Sequence, residues 1–245
     1  MSDLAFAEDE QQPDAEGVDT TSRAYSEVRA AILDGTLAPG QWVSRVQLAA
    51  QLRISRTPLR EALRLLENEG LVETVLNRRL RIAPLSLPDL EALYSLRIAA
   101  EPLAVRVSVP HLGDAELQAI AQAKDDLDNA TSDFATYHRR FHFGLFSHAA
   151  PRVRRHVEDL WDHAERYRLL YQRASQSALR ELSAREHDAI LEAAKARDGA
   201  LCGRLVAEHL ARTALTVIVQ VDGAHEPRLV RESLRYVLEA APPAS

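Results

Sequence analysis

Apolar residues recur at spacings of three and four along most of this chain, and the breaks in that rhythm divide it into elements. Tyr25, Val28 and Ile32 recur at i, i+3, i+7 and predict a first helix, with capping oxygens on Thr20-Thr21-Ser22 and a stop at Gly35. Pro39-Gly40 makes a turn. Ser44 is placed to cap a short second helix over 45–52, with Val46, Leu48 and Ala49 facing inward. Ser55 is placed to cap a third, which ends near Glu69, and Gly70 stands where a left-handed glycine closes a helix. The rhythm then changes. Segments 71–75 and 80–83 predict two short strands around a tip of Leu76-Asn77-Arg78-Arg79.

From Ser86 onward the pattern is helical throughout. Ser86-Leu87-Pro88-Asp89 opens a helix that runs towards Val109, with Pro102 as a candidate kink. Further helices are predicted over about 114–129, 132–148, 151–174, 179–197, 200–221 and 226–240. The fold class is therefore mainly α. A three-helix head with a two-stranded wing precedes an all-α antiparallel bundle. The expected division is an acidic disordered tail over 1–21, a head over 22–84 and a helical body over 86–241.

Composition sharpens this division. The net charge is −6, from 30 basic and 36 acidic residues, which by itself argues against an anionic partner. The charge is unevenly spread. Residues 1–22 hold seven acids and no base, whereas 23–86 hold ten arginines against six acids, a surplus of four positive charges. An anionic partner belongs on that basic segment. A single cysteine, Cys202, excludes an internal disulfide and a cysteine-based zinc finger. No apolar run reaches the ~20 residues of a membrane helix, and the acidic start is unlike a secretory signal, so a cytoplasmic location is expected.

The third helix carries candidate chemistry. Leu59, Ala62, Leu63 and Leu66 fall on one face, while Arg56, Arg60 and Arg64, spaced by four, fall on another. Guanidinium groups read guanine edges bidentately, and hydroxyls such as Ser55 and Thr57 hold phosphate. Arg78 and Arg79 at the wing tip can reach the backbone of a duplex. The plain alternative is a solvated arginine face paired with Glu61 or Glu67.

The run Ile54-Ser55-Arg56-Thr57-Pro58-Leu59-Arg60-Glu61-Ala62-Leu63 resembles the signature of GntR-family winged-helix transcription regulators. Ile32-Leu33-Asp34-Gly35-Thr36-Leu37-Ala38-Pro39-Gly40 and Glu69-Gly70-Leu71-Val72 resemble the same family's first turn and its helix-to-wing junction. The resemblance implies a homodimer on a palindromic operator in double-stranded DNA, contacted through Ser55, Arg56, Thr57 and Arg60. Arg53 and Arg79 stand where the family often has glycine. A left-handed backbone at either would cost about 1 kcal/mol or more.

Histidines mark the body. His138 and His142 lie one turn apart, His187 is in register with Ile190 and Ala194, and His209 lies between Leu205 and Thr213. Three helices thus turn imidazole towards the core, as helical bundles do when they build metal sites. A hydrogen-bonded core histidine is the commoner outcome for any one of them. His156 and His163 form a competing pair, and His111, His148 and His225 read as surface. Ser183-x-x-Glu186 reads as a capping box ahead of His187.

Leu96-Arg97, Glu101-Pro102-Leu103-Ala104, Phe141-His142, Leu160-Trp161 and Glu186-His187 resemble the FCD ligand-binding domain of the FadR-like GntR subgroup. The resemblance implies metal ligands at His142, His187 and His209, with His138 where an aspartate is usual. It also implies that Arg97 binds the carboxylate of a small effector. The residues alone leave Arg97 as a salt-bridge partner of Glu101, and Trp161 and Tyr167 as core or pocket wall. Four imidazoles favour zinc, then nickel, over magnesium or calcium. The expected function is a DNA-binding transcription regulator, a repressor rather than an activator and not an enzyme, controlled by a small organic acid bound at or near the metal site. A four-histidine metalloenzyme and an effector-independent DNA-binding protein are the alternatives.

Overall fold

The computed structural model of the chain describes residues 15–75, 79–130, 133–174 and 177–239. The backbone divides after Pro84 into two compact units, a head and a body. Residues 1–14 of the predicted tail, the tip residues Leu76 and Asn77, and Arg78 lie outside the described residues.

The head opens with α1 (Ala15–Leu33), followed by β1 (Trp42–Val43), α2 (Arg45–Leu52), α3 (Arg56–Asn68), β2 (Val72–Val75) and β3 (Arg79–Ile82). α1 starts ahead of the predicted cap, so Thr20-Thr21-Ser22 lie inside it and 15–21 are helix rather than tail. The wing is a three-stranded sheet in the order β1-β3-β2, with both pairings antiparallel. β1 is too short for its period to show in sequence. It becomes a strand because Trp42 and Val43 pair with Arg81 and Leu80.

Val28, Ile32, Leu48, Leu59, Leu63, Leu66, Leu71 and Ile82 form one buried cluster in the head. These are the apolar positions of the sequence pattern. Ser44 caps α2 by accepting from the Gln47 amide at 3.3 Å. Arg53 ends α2 in the left-handed region at φ 53°, and Gly70 follows α3 at φ 72°. Arg79 sits in β3 and is not among the described positive-φ residues, so the strain considered there does not arise. Glu69 ties the end of α3 to α1, accepting from the Tyr25 hydroxyl and from Arg29 Nε at 3.1 Å.

The body contains α4 (Leu87–Ser108), a 3-10 turn at Val109–His111, α5 (Asp114–Asp128), α6 (Phe134–Leu145), α7 (Pro151–Ala174), α8 (Ser177–Lys195), α9 (Gly199–Val221) and α10 (Arg228–Glu239). Ser86 caps α4 by accepting from the Asp89 amide at 3.2 Å, and α4 continues through Pro102. α4 packs against α7, α9 and α10, while α5 packs against α6 and α8. Close approach of α9 to α4 requires glycine. A Cβ on Gly199 would lie 2.3 Å from the Arg106 carbonyl oxygen, and one on Gly203 would lie 2.8 Å from that of Pro102. α8 begins at Ser177, so Ser183 is interior and the predicted capping box does not form. α6 ends at Leu145, three residues earlier than its period suggested.

Candidate DNA-reading helix and candidate metal centre

In the head, α3 presents Ser55, Arg56, Thr57, Arg60 and Arg64 to solvent, opposite its buried Leu59, Ala62, Leu63 and Leu66. Ser55 occupies the N-cap position, but its hydroxyl makes no capping bond, contrary to its predicted role. The first-turn amides of α3 therefore lack that side-chain acceptor. Glu61 pairs with Arg64 at 3.2 Å and with Arg60 at 3.6 Å. Both pairs are solvent-exposed and worth at most about 1 kcal/mol, so a phosphate can displace them cheaply. Glu67, the other proposed partner, accepts instead from the Thr74 amide at 3.1 Å. Arg56 has no ion pair among the described residues. Arg79 is exposed on β3, with its guanidinium 4.7 Å from the centre of the Trp42 ring.

In the body, His138 and His142 of α6, His187 of α8 and His209 of α9 converge. One ligand nitrogen from each lies within 4.8 Å of all the others. His142, His187 and His209 are buried and His138 is half-buried. The Nε2 atoms of His142 and His187 are 3.3 Å apart. Burial holds both imidazoles well below their ordinary 6.5, and the neighbouring histidines push the same way. Neutral imidazole is the ligating form. The competing His156 is exposed and His163 half-buried, and neither joins the cluster. His111 and His148 lie at the surface as expected, whereas half-buried His225 bonds Glu91 at 2.8 Å.

Glu186 is a residue the sequence reading misplaced. It reaches across to α9 instead of capping α8. Its carboxylate accepts from His209 Nδ1 at 2.7 Å and from both Nε and an Nη of Arg212. Burial would raise this carboxyl, but the bonds from His209 and Arg212 outweigh it and hold it lower. A carboxylate on Nδ1 orients the ring and leaves Nε2 as the metal-facing atom. Burial likewise lowers His209, with Glu186 opposing. The spacing of Glu186 from Ser183 fits a capping box, but no cap forms there. Its true partner lies 23 residues away on another helix.

Four imidazole nitrogen donors, three of them buried, fit a borderline transition ion such as zinc and do not fit magnesium or calcium. Trp161 lies beside the cluster, its ring 5.1 Å from that of His138 and 5.0 Å from that of His142. On Trp161 rests the Arg97 guanidinium, 4.6 Å from the ring centre. Arg97 and Glu101 are both buried and paired through two hydrogen bonds of 2.5 and 3.3 Å. Burial pushes the Glu101 carboxyl up, against the pull of Arg97. The salt-bridge reading of Arg97 is thus the one present, and its fork is already filled. Trp161 borders the histidine cluster. Tyr167 instead donates to Asp89 and accepts from the Ser86 amide at 3.4 Å, locking α7 to the start of α4.

A winged three-helix head joined to an all-helical body is the architecture of a DNA-binding transcription regulator, not of an enzyme. Residues 20–82 match the family of bacterial regulatory proteins named gntR, and residues 92–212 match the FCD domain. The chain belongs to the GntR family and carries an FCD body. It is 31% identical over 235 residues to the HTH-type transcriptional regulator BphR of Paraburkholderia xenovorans (strain LB400), covering 89% of this chain and 93% of that protein. It is 27% identical over 216 residues to the HTH-type transcriptional repressor GlaR of Escherichia coli (strain K12), covering 82% and 96%. Four further curated relatives are matched over 63%, 53%, 47% and 52% of their own length. Among solved structures, a GntR regulator of Rhodococcus sp. RHA1 superposes with a TM-score of 0.67 at 27% identity, covering 85% of this chain and all of that one. Among the described residues no helix is long and apolar enough to cross a membrane.

Proposed function

We propose that this regulator is a metal-containing repressor whose grip on DNA is set by a small carboxylate. The observation that carries the reading is the cluster of His138, His142, His187 and His209, with ligand atoms within 4.8 Å and a carboxylate behind His209. These four residues hold a zinc ion, with nickel as the next fit to imidazole donors. The bound ion supplies a positive charge that no protein carboxylate in the set neutralises, which favours an anionic ligand. Two copies of the chain present two α3 helices to the half-sites of a palindrome. Ser55, Arg56, Thr57, Arg60 and Arg64 read and grip the duplex, with Arg78 and Arg79 of the wing on its backbone. The protein acts in the cytoplasm, where its DNA is. Repression is the direction named for its relative GlaR.

Arg97 takes part only when Glu101 yields. An effector carboxylate bound near the ion competes with Glu101 for the guanidinium, and that exchange biases the body between two arrangements. The test is a melting panel on metal-stripped protein with divalent ions, then small carboxylates and sugar acids. A ligand at ~100 times its Kd adds about 2.7 kcal/mol, several degrees for a domain of this size. A zinc shift followed by a metal-dependent acid shift is expected. A zinc shift without any acid response would mean a closed four-histidine structural site. In the head, replacing Arg56 and Arg60 together by Ala must abolish operator binding; retention would overturn the DNA-contact assignment.

A further inference from the structure

The recognition helix forms only one wall of a larger basic cleft in the head. The cleft has a volume of about 720 Å³ and is lined by Arg56 and Arg60 of α3, Arg45 and Gln47 of α2, Trp42 of β1 and Arg79 of β3. Four guanidinium groups on three different elements surround one opening, with no carboxylate among its lining residues. Like charges gathered at one opening create a local positive potential that attracts a polyanion.

Two of these residues are unexplained by packing. Trp42 is a large apolar side chain left 45% exposed. Its ring lies under two wing arginines, with the guanidinium carbon of Arg79 at 4.7 Å and that of Arg81 at 5.7 Å from its centre. Register sets this arrangement, because Trp42 stands opposite Arg81 across the β1–β3 pairing. Arg45 begins α2, and one Nη donates to Thr74 Oγ1 on β2 at 3.1 Å. Its Nε is buried and finds no acceptor among the described residues. The bond through one Nη holds the guanidinium in place.

We infer that Arg45 is a DNA phosphate contact and that Trp42 is a positioning residue, a platform that holds Arg79 over the same backbone. The inference rests on α3 facing DNA. A duplex whose bases meet Arg56 and Arg60 brings a phosphate strand into the cleft between α2 and the wing. Arg45 and Arg79 then grip that strand. Stacking on Trp42 fixes the long Arg79 side chain before DNA arrives, so less freedom is lost on binding.

Phosphate contacts are independent of sequence, so the probe is a fluorescein-labelled random-sequence duplex of about 30 base pairs, read by anisotropy across a salt series. Each lost contact lowers the slope of log affinity against log salt by about 0.9. Arg45→Ala is expected to lower it by about that amount, and Arg45→Lys to restore it. Trp42→Ala is expected to lower it similarly, Trp42→Phe to recover most of the loss, and Trp42→Ala with Arg79→Ala to be no worse than Arg79→Ala alone. Circular dichroism melts confirm that each variant is folded. An unchanged slope in Arg45→Ala overturns the phosphate contact. A Trp42 loss that adds in full to the Arg79 loss overturns the platform. Arg56→Ala and Arg60→Ala are run in parallel, because even on random sequence, where no base is specifically read, guanidinium groups that face the duplex add to its salt-dependent affinity. If they also leave binding unchanged, the reading of α3 has failed. If only they weaken it, this inference alone falls.

Discussion

At the scale of single residues, side chains that look alike in sequence have different tasks because their partners differ. Glu61, Glu101 and Glu186 all stand near arginine or histidine along their helices. Glu61 makes weak exposed pairs, Glu101 fills the fork of a buried arginine, and Glu186 steers His209. Glu186→Gln is expected to weaken zinc binding about 10–100-fold, because an outer carboxylate sets the tautomer and basicity of its histidine; competition against a chromophoric chelator measures this. A second prediction concerns pH. In the metal-free protein, burial holds His142 and His187 well below 6.5. As pH falls through 6.5, the unfolded chain takes up protons that the native state refuses, so stability declines. Above 6.5 both states are neutral and this contribution is flat. Thermal melts at about pH 8, 6 and 5 will show the decline if the assignment is right. Arg53 tests strain. Its φ of 53° is relieved in Arg53→Gly, which is expected to stabilise the head by about 1 kcal/mol in urea titrations.

At the scale of elements, α3 and α9 show how local pattern and tertiary demand share control. The arginine stripe and apolar stripe of α3 lie on separate faces, so its burial follows its own sequence. Leu66 is fully buried. Leu66→Ala should cost about 2–5 kcal/mol and abolish DNA binding through unfolding of the head, visible as a lowered melting temperature. α9 is different. Gly199 and Gly203 look like poor helix residues, at about 1 kcal/mol each relative to alanine. Contact with the α4 backbone is what demands them. Gly203→Val should cost at least about 1–3 kcal/mol, since a carbonyl oxygen cannot rotate away as a side chain could. A calorimetric scan that showed no loss would mean α9 can part from α4 without penalty.

At the scale of the whole molecule, the two units divide the work, and metal should act on only one of them. Zinc at ~100 times its Kd is expected to raise the body's transition by the equivalent of about 2.7 kcal/mol. The head has its own apolar core and no histidine in the cluster, so its transition should stay in place. Calorimetry with and without a chelator separates the two. The division into head and body was legible in sequence because the charge balance and the hydrophobic period both change near Pro84. So was the inward placement of the four histidines, because each sits in register with the apolar face of its own helix, whereas their convergence came from packing. The tertiary structure decided the matters that depend on distant partners. β1 is a strand only through β3, and Trp42 becomes a platform only through that pairing. Arg97 is spoken for by Glu101, where sequence left it open to a ligand. Glu186 turned from a helix cap into the support of a histidine on the next helix. Periodicity records which face of an element is buried, and so the sequence by itself determined the helices, their inward faces and the arginine stripe of α3. It holds no record of which buried face meets which, and those pairings came from packing alone.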